Sequence, residues 1–376
     1  MFLEKLEILK KENLLRYITD RDSAQGPGIV ISGKEYINFA SNDYLGLAGH
    51  AYIREKARNA IDFYGFGAGA SRLLGGGCAL HKELEERTAL FKGTEAALVF
   101  NSGYAANAGI LPSIADKDFT IFSDELNHAS IIDGCRLSGA KLYIYRHKDL
   151  SHLGELIEKG PSGKKLVVTD TVFSMGGDIA PLEGIYEICR NNGTLLYIDD
   201  AHGTGVLGNG KGALSHFQIR PEPWIIQMGT FSKALGSYGA FVAGSSAVIQ
   251  WILNTARSFV FSTALPPCIV AGSLAGLELV EHNSEPLFKL RSNREKLANS
   301  LSALGFDIMG SETPIIPIKT GTIKNTLRIS RRLFEKGIYA PAIRPPTVKT
   351  PRIRITVTAV HTDEDIERLI EALGKV

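Results

Sequence analysis

Six short runs rich in apolar and β-branched residues, EAALVF (95–100), DFTIFS (118–123), AKLYIY (140–145), KLVVTD (165–170), TLLYID (194–199) and PWIIQM (223–228), recur with helix-length segments between them. Few folds accept that alternation. A strand that returns through a helical crossover lies parallel to its predecessor, so the pattern calls for a mostly parallel sheet with helices on both faces. With 376 residues and 44% hydrophobic content, the chain can fill one large core and a smaller one. HNSEPL near 283 marks a break, after which two helical patterns (285–304 and 323–336) and the strand candidates IIPIK, GIYAPAI and RIRITVT read as a separate α+β lobe. At the other end, MFLEKLEILKKENLLRYI reads as an amphipathic helix and GIVISGKEYINFA as a hairpin, both packing near that lobe. The expected organisation is an N-terminal helix and hairpin segment over 1–42, a large α/β domain over 43–283 and a small α+β domain over 284–376.

Charge and cysteine usage narrow the function. Lys plus Arg total 42 against 40 for Asp plus Glu, a formal charge of +2, which gives no field suited to nucleic acid or a membrane surface. Small molecules are the expected partners. Cys78, Cys135, Cys189 and Cys268 lie far apart without C-x-x-C spacing, which argues for reduced thiols and a cytoplasmic location. The apolar stretch 268–280 is too short to span a bilayer.

In an open α/β sheet, ligands bind at the carboxyl ends of the strands, so the residues after each run carry the chemistry. NSGYAAN (101–107) opens a helix whose first N–H groups, at Ser102, Gly103 and Tyr104, form a candidate phosphate pocket; a plain N-cap is the alternative. DELNHAS places His128 at a strand-to-helix corner, and TVFSMGGD places Ser174 in a glycine-rich turn. TLLYIDDAHGTG packs Asp199, Asp200 and His202 at another strand end, too few ligands for an expected metal site. A carboxylate ending an apolar strand needs a cation, and a protonated heterocyclic nitrogen supplies one. MGTFSKALGSYGAF then sets Lys233 between Thr230, Ser232 and glycines that would let backbone pass close to a cofactor. A phosphate pocket, an acid, a histidine and a lysine amine able to form a Schiff base together point to pyridoxal 5'-phosphate.

The ordered series SNDYLGL, GAGASRLLGG, LHKELEE, NSGYAAN, NHAS, VFSMGGD, DDAHGTGVLG, TFSKALG, FSTALPP and IRPPTV resembles the α-oxoamine synthase family of pyridoxal-phosphate enzymes over nearly the whole chain. The resemblance implies the aspartate-aminotransferase-like fold (type I): a large domain with a mostly parallel sheet flanked by helices, plus a smaller α+β C-terminal domain. It also implies roles. Lys233 would hold the cofactor and act as base, Asp199 would pair with the ring nitrogen, His202 with the ring oxygen, His128 would stack on the ring, and Ser174 would lie beside it. Ser102, Gly103, Tyr104 and Thr230 would hold the phosphate, joined by Thr263 from the other subunit of a homodimer. Arg354 would grip the amino-acid carboxylate, with Asn42 and Arg16 as further substrate contacts. For Arg354 the alternative is an outward-pointing strand arginine, on the same side as Arg352.

By the same resemblance, the reaction would be a decarboxylative condensation of an amino acid with an acyl thioester. GAGASRLLGG and IRPPTV favour L-alanine and a pimeloyl thioester, carried on coenzyme A or on an acyl carrier protein. Glycine C-acetyltransferase chemistry, or another amino-acid acyltransferase of the family using a long-chain thioester, shares every cofactor residue and is the alternative within the family, and a nucleotide-binding α/β protein without covalent catalysis is the alternative outside it. Arg344 and Arg72 are further cations that could meet a distal carboxylate or a thioester phosphate.

Overall fold

A computed structural model describes residues 1–375. The chain forms two compact units, one of Met1–Gly49, Ser174–Asp178 and the chain from Phe288 onward, the other of His50–Phe173 and Ile179–Leu287. Among the described residues no helix is long and apolar enough to cross a membrane.

The terminal unit begins with the helix Phe2–Lys11, which ends well before Ile18 and buries none of its residues; Phe2 is 72% exposed. Strands β1 (Gly28–Ile31) and β2 (Lys34–Asn38) follow as the expected hairpin. Its two-residue turn has Ser32 at φ 49° and Gly33 at φ 74°. Positive φ at both central positions matches the twist of the flanking strands.

The second unit holds the large sheet. Its strands are β3 (Ala96–Phe100), β4 (Phe119–Asp124), β5 (Lys141–Tyr145), β6 (Lys164–Asp170), β7 (Leu195–Asp199), β8 (Ile225–Thr230) and β9 (Ala240–Gly244), in the order β3-β9-β8-β7-β6-β4-β5. Strands β5, β4, β6, β7 and β8 run parallel, and β9 is antiparallel to both β3 and β8. The six expected strands are all present, but PWIIQM is displaced. Pro223 has no N–H for the ladder, so β8 starts at Ile225 and runs to Thr230, where it pairs with Ala240. β9 comes from AFVAG, a short run that its glycine-rich flank disguises as loop. One apolar cluster covers each face of this sheet, around Leu166, Val168, Ile226 and Val242 on one side and Val99, Phe241 and Ala243 on the other.

The remaining strands are β10 (Ile315–Lys319), β11 (Ile338–Tyr339), β12 (Ala342–Ile343) and β13 (Arg352–Thr356), with helices Glu285–Ala303, Ile323–Glu335 and Asp363–Gly374. GIYAPAI is not one strand. Around Pro341 it divides into β11, parallel to β2, and β12, antiparallel to β13, so one short segment serves two sheets. Ile37, Phe39, Ile316, Leu333, Ile353 and Leu369 share the core of this unit.

His361 lies in that core, 1% exposed and stacked on Phe39 at 4.3 Å. Its Nδ1 accepts the Thr358 N–H at 3.0 Å, so its Nε2–H donates to the Asn38 carbonyl at 3.1 Å. Burial pushes its pKa down from 6.5 to about 4. Folding therefore favours neutral imidazole: this stability is full above pH 6.5 and is lost as pH falls toward 4. The slope reaches up to about 1.4 kcal/mol per pH unit. His361→Gln should be less stable at neutral pH yet lose less stability on acidification, as read from urea midpoints across this window. An unchanged acid dependence would mean that the imidazole is not held neutral.

Candidate active site

Two neighbouring carboxylates end β7 and have different partners. Asp200 is fully buried and receives Lys92 Nζ at 2.8 Å, the Thr171 hydroxyl at 2.7 Å, the Thr204 hydroxyl at 2.9 Å and the Ala213 N–H at 3.2 Å. Lys92 also donates to the Lys211 carbonyl at 2.7 Å. This ion pair anchors the turn that follows β7. Close packing there explains Gly212, at φ 103°, where a Cβ would lie 1.9 Å from Asp200 Oδ2.

Asp199 has fewer partners. It is 3% exposed; Oδ1 accepts the Ala201 N–H at 3.0 Å, and Oδ2 accepts Asn107 Nδ2 at 2.8 Å. Burial pushes its carboxyl up, while Lys233, Asn107, the Ala201 amide and His128 pull it down. Directly opposite in the ladder is Asp170, at the end of β6. Burial and the neighbouring Asp199 push the Asp170 carboxyl well above the usual carboxylate range. Its Oδ2 accepts the His128 N–H at 2.7 Å.

His128 caps the helix Ala129–Leu137, its Nδ1 accepting the Ser130 N–H at 3.3 Å and lying 2.7 Å from Ser130 Oγ. Burial lowers its pKa, Lys233 adding to the effect and Asp199 opposing it. Lys233, His128 and Asp199 therefore lie near enough for each charge to act on its neighbours. His202 is buried in the turn after β7.

The phosphate candidates differ in readiness. Ser102 spends its Oγ as N-cap of the helix Gly103–Ile114, accepting the Ala105 N–H at 3.1 Å. The N–H groups of Gly103 and Tyr104 begin that helix and have no intrahelical acceptor, which suits an anion. Tyr104 is exposed, with its hydroxyl on Asp133. Thr230 gives its hydroxyl proton to the Gly239 carbonyl at 2.7 Å and accepts the Ser232 N–H at 3.1 Å. Gly239, at φ 100°, is needed for packing: a Cβ there would meet Leu265 at 2.8 Å and Phe100 O at 3.1 Å. Thr263 bridges to Ser71 and accepts Asn101 Nδ2 at 2.8 Å, which joins FSTALPP to GAGASR.

The substrate candidates lie in the terminal unit. Arg354 is not an outward strand arginine but is 5% exposed, and Arg352 is 9% exposed. Their spacing of two puts both on one side of β13. Arg354 Nε donates to Ser174 O at 2.7 Å and Arg352 Nη1 to Met175 O at 2.9 Å. Arg354 further donates to Asn42 Oδ1 at 2.9 Å and Thr356 Oγ1 at 2.8 Å and interacts with Tyr44. Asn42, Ser174 and Arg354 are thus together. Arg16 donates to Thr347 Oγ1 at 2.8 Å, while Arg344 takes the carbonyls of Asn13 and Leu15 at 2.8 and 2.7 Å, clasping that segment to IRPPTV. Arg72 is paired with Glu85 at 2.7 Å.

Lys92, Asn107 and Asp170 escape a reading of the sequence. An asparagine inside the apolar helix NAGIL and an aspartate ending KLVVTD were the available signals.

Residues 34–373 match the family described as aminotransferase class I and II. An 8-amino-7-oxononanoate synthase of Geobacter metallireducens is 48% identical over 383 aligned positions, covering 100% of this chain and 98% of that protein. This chain belongs to the 8-amino-7-oxononanoate synthase family. A solved 8-amino-7-oxononanoate synthase from Francisella tularensis superposes with a TM-score of 0.80 at 31% identity, over 90% of this chain and 97% of that one. A serine palmitoyltransferase from S. paucimobilis, solved with a bound PLP–myriocin aldimine, superposes at 0.94 with 28% identity, over 100% and 96%. The family's type I fold, with its mostly parallel sheet and smaller α+β part, is therefore the fold of this chain.

Asp200 and Lys92 give a test independent of catalysis. Lys92→Met strands a buried carboxylate and should destabilise the fold by about 3–5 kcal/mol. Adding Asp200→Asn should recover much of that loss, both read from urea midpoints. Equal stability of Lys92→Met and the parent would show the pair to be dispensable.

Proposed function

We propose that the chain catalyses the decarboxylative condensation of L-alanine with a pimeloyl thioester, giving 8-amino-7-oxononanoate, carbon dioxide and free thiol in biotin synthesis, with pyridoxal 5'-phosphate as cofactor. The observation that carries this reading is the convergence of Lys233, His128 and buried Asp199 at the strand ends, in a chain 48% identical to a protein of that name. The residues fit the cofactor. Asp199 is a desolvated carboxylate held by only a backbone amide and an asparagine, which suits a ring N–H, and the amides of Gly103 and Tyr104 suit its phosphate.

When bound, pyridoxal phosphate supplies a carbonyl that captures an amine and a ring that accepts the electron pair left at Cα. With that group in place, Lys233 would hold its carbonyl and serve as the base for the Cα proton. Asp199 would pair with the ring nitrogen and keep it protonated. His128 would stack on the ring, with His202 and Ser174 at its oxygen. Ser102 and Thr230 support the phosphate-binding amides, Thr230 by rotating its hydroxyl away from Gly239. Arg354 binds the substrate carboxylate through a charge-assisted fork, with Asn42 and Arg16 beside it. Thr263 reaches the phosphate of the partner subunit in a homodimer, the thioester arrives on coenzyme A or a carrier protein, and the enzyme works in the cytoplasm.

Lys233→Ala should abolish both turnover and the visible absorption of the cofactor-loaded protein while leaving the far-UV circular dichroism intact. Wild-type production of the amino ketone by this variant would remove Lys233 from its role. Asp199→Asn should slow exchange of the alanine α-proton with solvent far more than it raises KM for the thioester; unchanged exchange would remove Asp199 from the ring nitrogen. Alanine, glycine and serine crossed with pimeloyl, acetyl and palmitoyl thioesters test the substrates. Preference for glycine with acetyl-CoA would overturn the assignment.

A further inference from the structure

Asn107 is fully buried in the interior of a helix, where asparagine is a poor helix former. Both of its amide protons are donated, and its oxygen accepts a bond. Nδ2 donates to Asp199 Oδ2 at 2.8 Å and to Ser130 Oγ at 2.8 Å, and Oδ1 accepts the Tyr197 hydroxyl at 2.6 Å. Only one amide orientation satisfies these partners. Turning it over would set Oδ1 against the Asp199 carboxylate, which when ionised has no proton to give. Tyr197 is fully buried and its phenol is held well above its ordinary value by burial, so it remains a donor.

The direction of the bonds propagates. Because Ser130 Oγ accepts from Asn107, its own proton is available to His128 Nδ1, 2.7 Å away, which also receives the Ser130 N–H at 3.3 Å. An Nδ1 that accepts from two donors carries no proton. The neutral ring must therefore be the Nε2–H tautomer.

We propose that Asn107 is a positioning residue that orients the Asp199 carboxylate and fixes His128 as its Nε2–H tautomer, with Tyr197 locking the amide from behind. It acts through these two groups and touches neither substrate nor cofactor. The inference rests on the role assigned to Asp199 at the ring nitrogen.

The test uses Tyr197→Phe, which removes one oxygen and keeps the ring packing, and Asn107→Leu, which keeps the number and branching of side-chain heavy atoms while removing the amide. In cofactor-free, 15N-histidine-labelled protein, the His128 resonances, assigned by their loss in His128→Gln, should show one Nε2–H tautomer in the parent and a mixture in both variants. In protein loaded with pyridoxal phosphate, exchange of the alanine α-proton should slow by roughly tenfold or more, with KM for the thioester unchanged. Because Tyr197 acts through Asn107, adding Tyr197→Phe to Asn107→Leu should cause no further loss. A parental tautomer pattern with exchange within about twofold of the parent in both variants would overturn the inference. If Asn107→Leu does not fold, Tyr197→Phe alone decides. Asp199→Asn separates the two levels: slow exchange there with parental behaviour in Tyr197→Phe defeats only the positioning role, whereas parental exchange in Asp199→Asn defeats the reading beneath it.

Discussion

The buried ion pair between Lys92 and Asp200 decides what Asp199 is able to do. Two adjacent carboxylates at the end of a hydrophobic strand would both be poorly solvated, and both would drift toward their protonated forms. Lys92, two hydroxyls and a backbone amide satisfy Asp200, which frees the turn after β7 to close over it. Asp199 accepts only the Ala201 amide and Asn107 among the described residues, with the nearby Lys233 charge acting on it as well. Asp170, alongside in the sheet, has its carboxyl pushed well above the usual range by burial and by Asp199, so charge does not build up freely at these strand ends.

Much of the sheet is legible in the sequence because strands buried on both faces must be nearly continuous in apolar residues, as KLVVTD and TLLYID are. β9 is not, since AFVAG is short and follows a glycine-rich turn, and although β8 precedes it directly, its other antiparallel partner, β3, lies far back in the sequence. The site divides on the same principle. Strand-end residues such as Asp199 and His128 stand out because position relative to a strand can be read locally. Lys92 does not, because a lysine in FKG looks like an ordinary cation at a helix end until Asp200, 108 residues away, meets it. Hydroxyl directions are equally illegible: only the fold gives the proton of Thr230 to Gly239. Arg352 and Arg354 show both sides, their common face following from strand alternation and their burial from the approach of the distant Ser174 turn, which no local pattern predicts.

The clasp between Arg344 and residues 13–15, with Arg16 returning a bond to Thr347, gives IRPPTV a structural role alongside any role in specificity. Burial, and after it the neighbouring Arg16 charge, lower the pKa of Arg344 from its ordinary value, while backbone carbonyls hold its guanidinium. An arginine here is thus held by main-chain dipoles before any ligand arrives.

Pairing of Ile37 in β2 with Ile338 in β11 sets a schedule for synthesis. The N-terminal hairpin leaves the ribosome early, but its parallel neighbour is made near the end, roughly 15 to 60 s later at ordinary elongation rates of about 5–20 residues per second. Throughout that interval β2 offers an open edge and Phe39 an uncovered ring, whereas the seven-stranded sheet has all of its sequence once Gly244 is made, well before β11. The nascent chain therefore builds its middle before its ends, and the amide edge of β2 needs protection from other chains until its own C-terminus emerges.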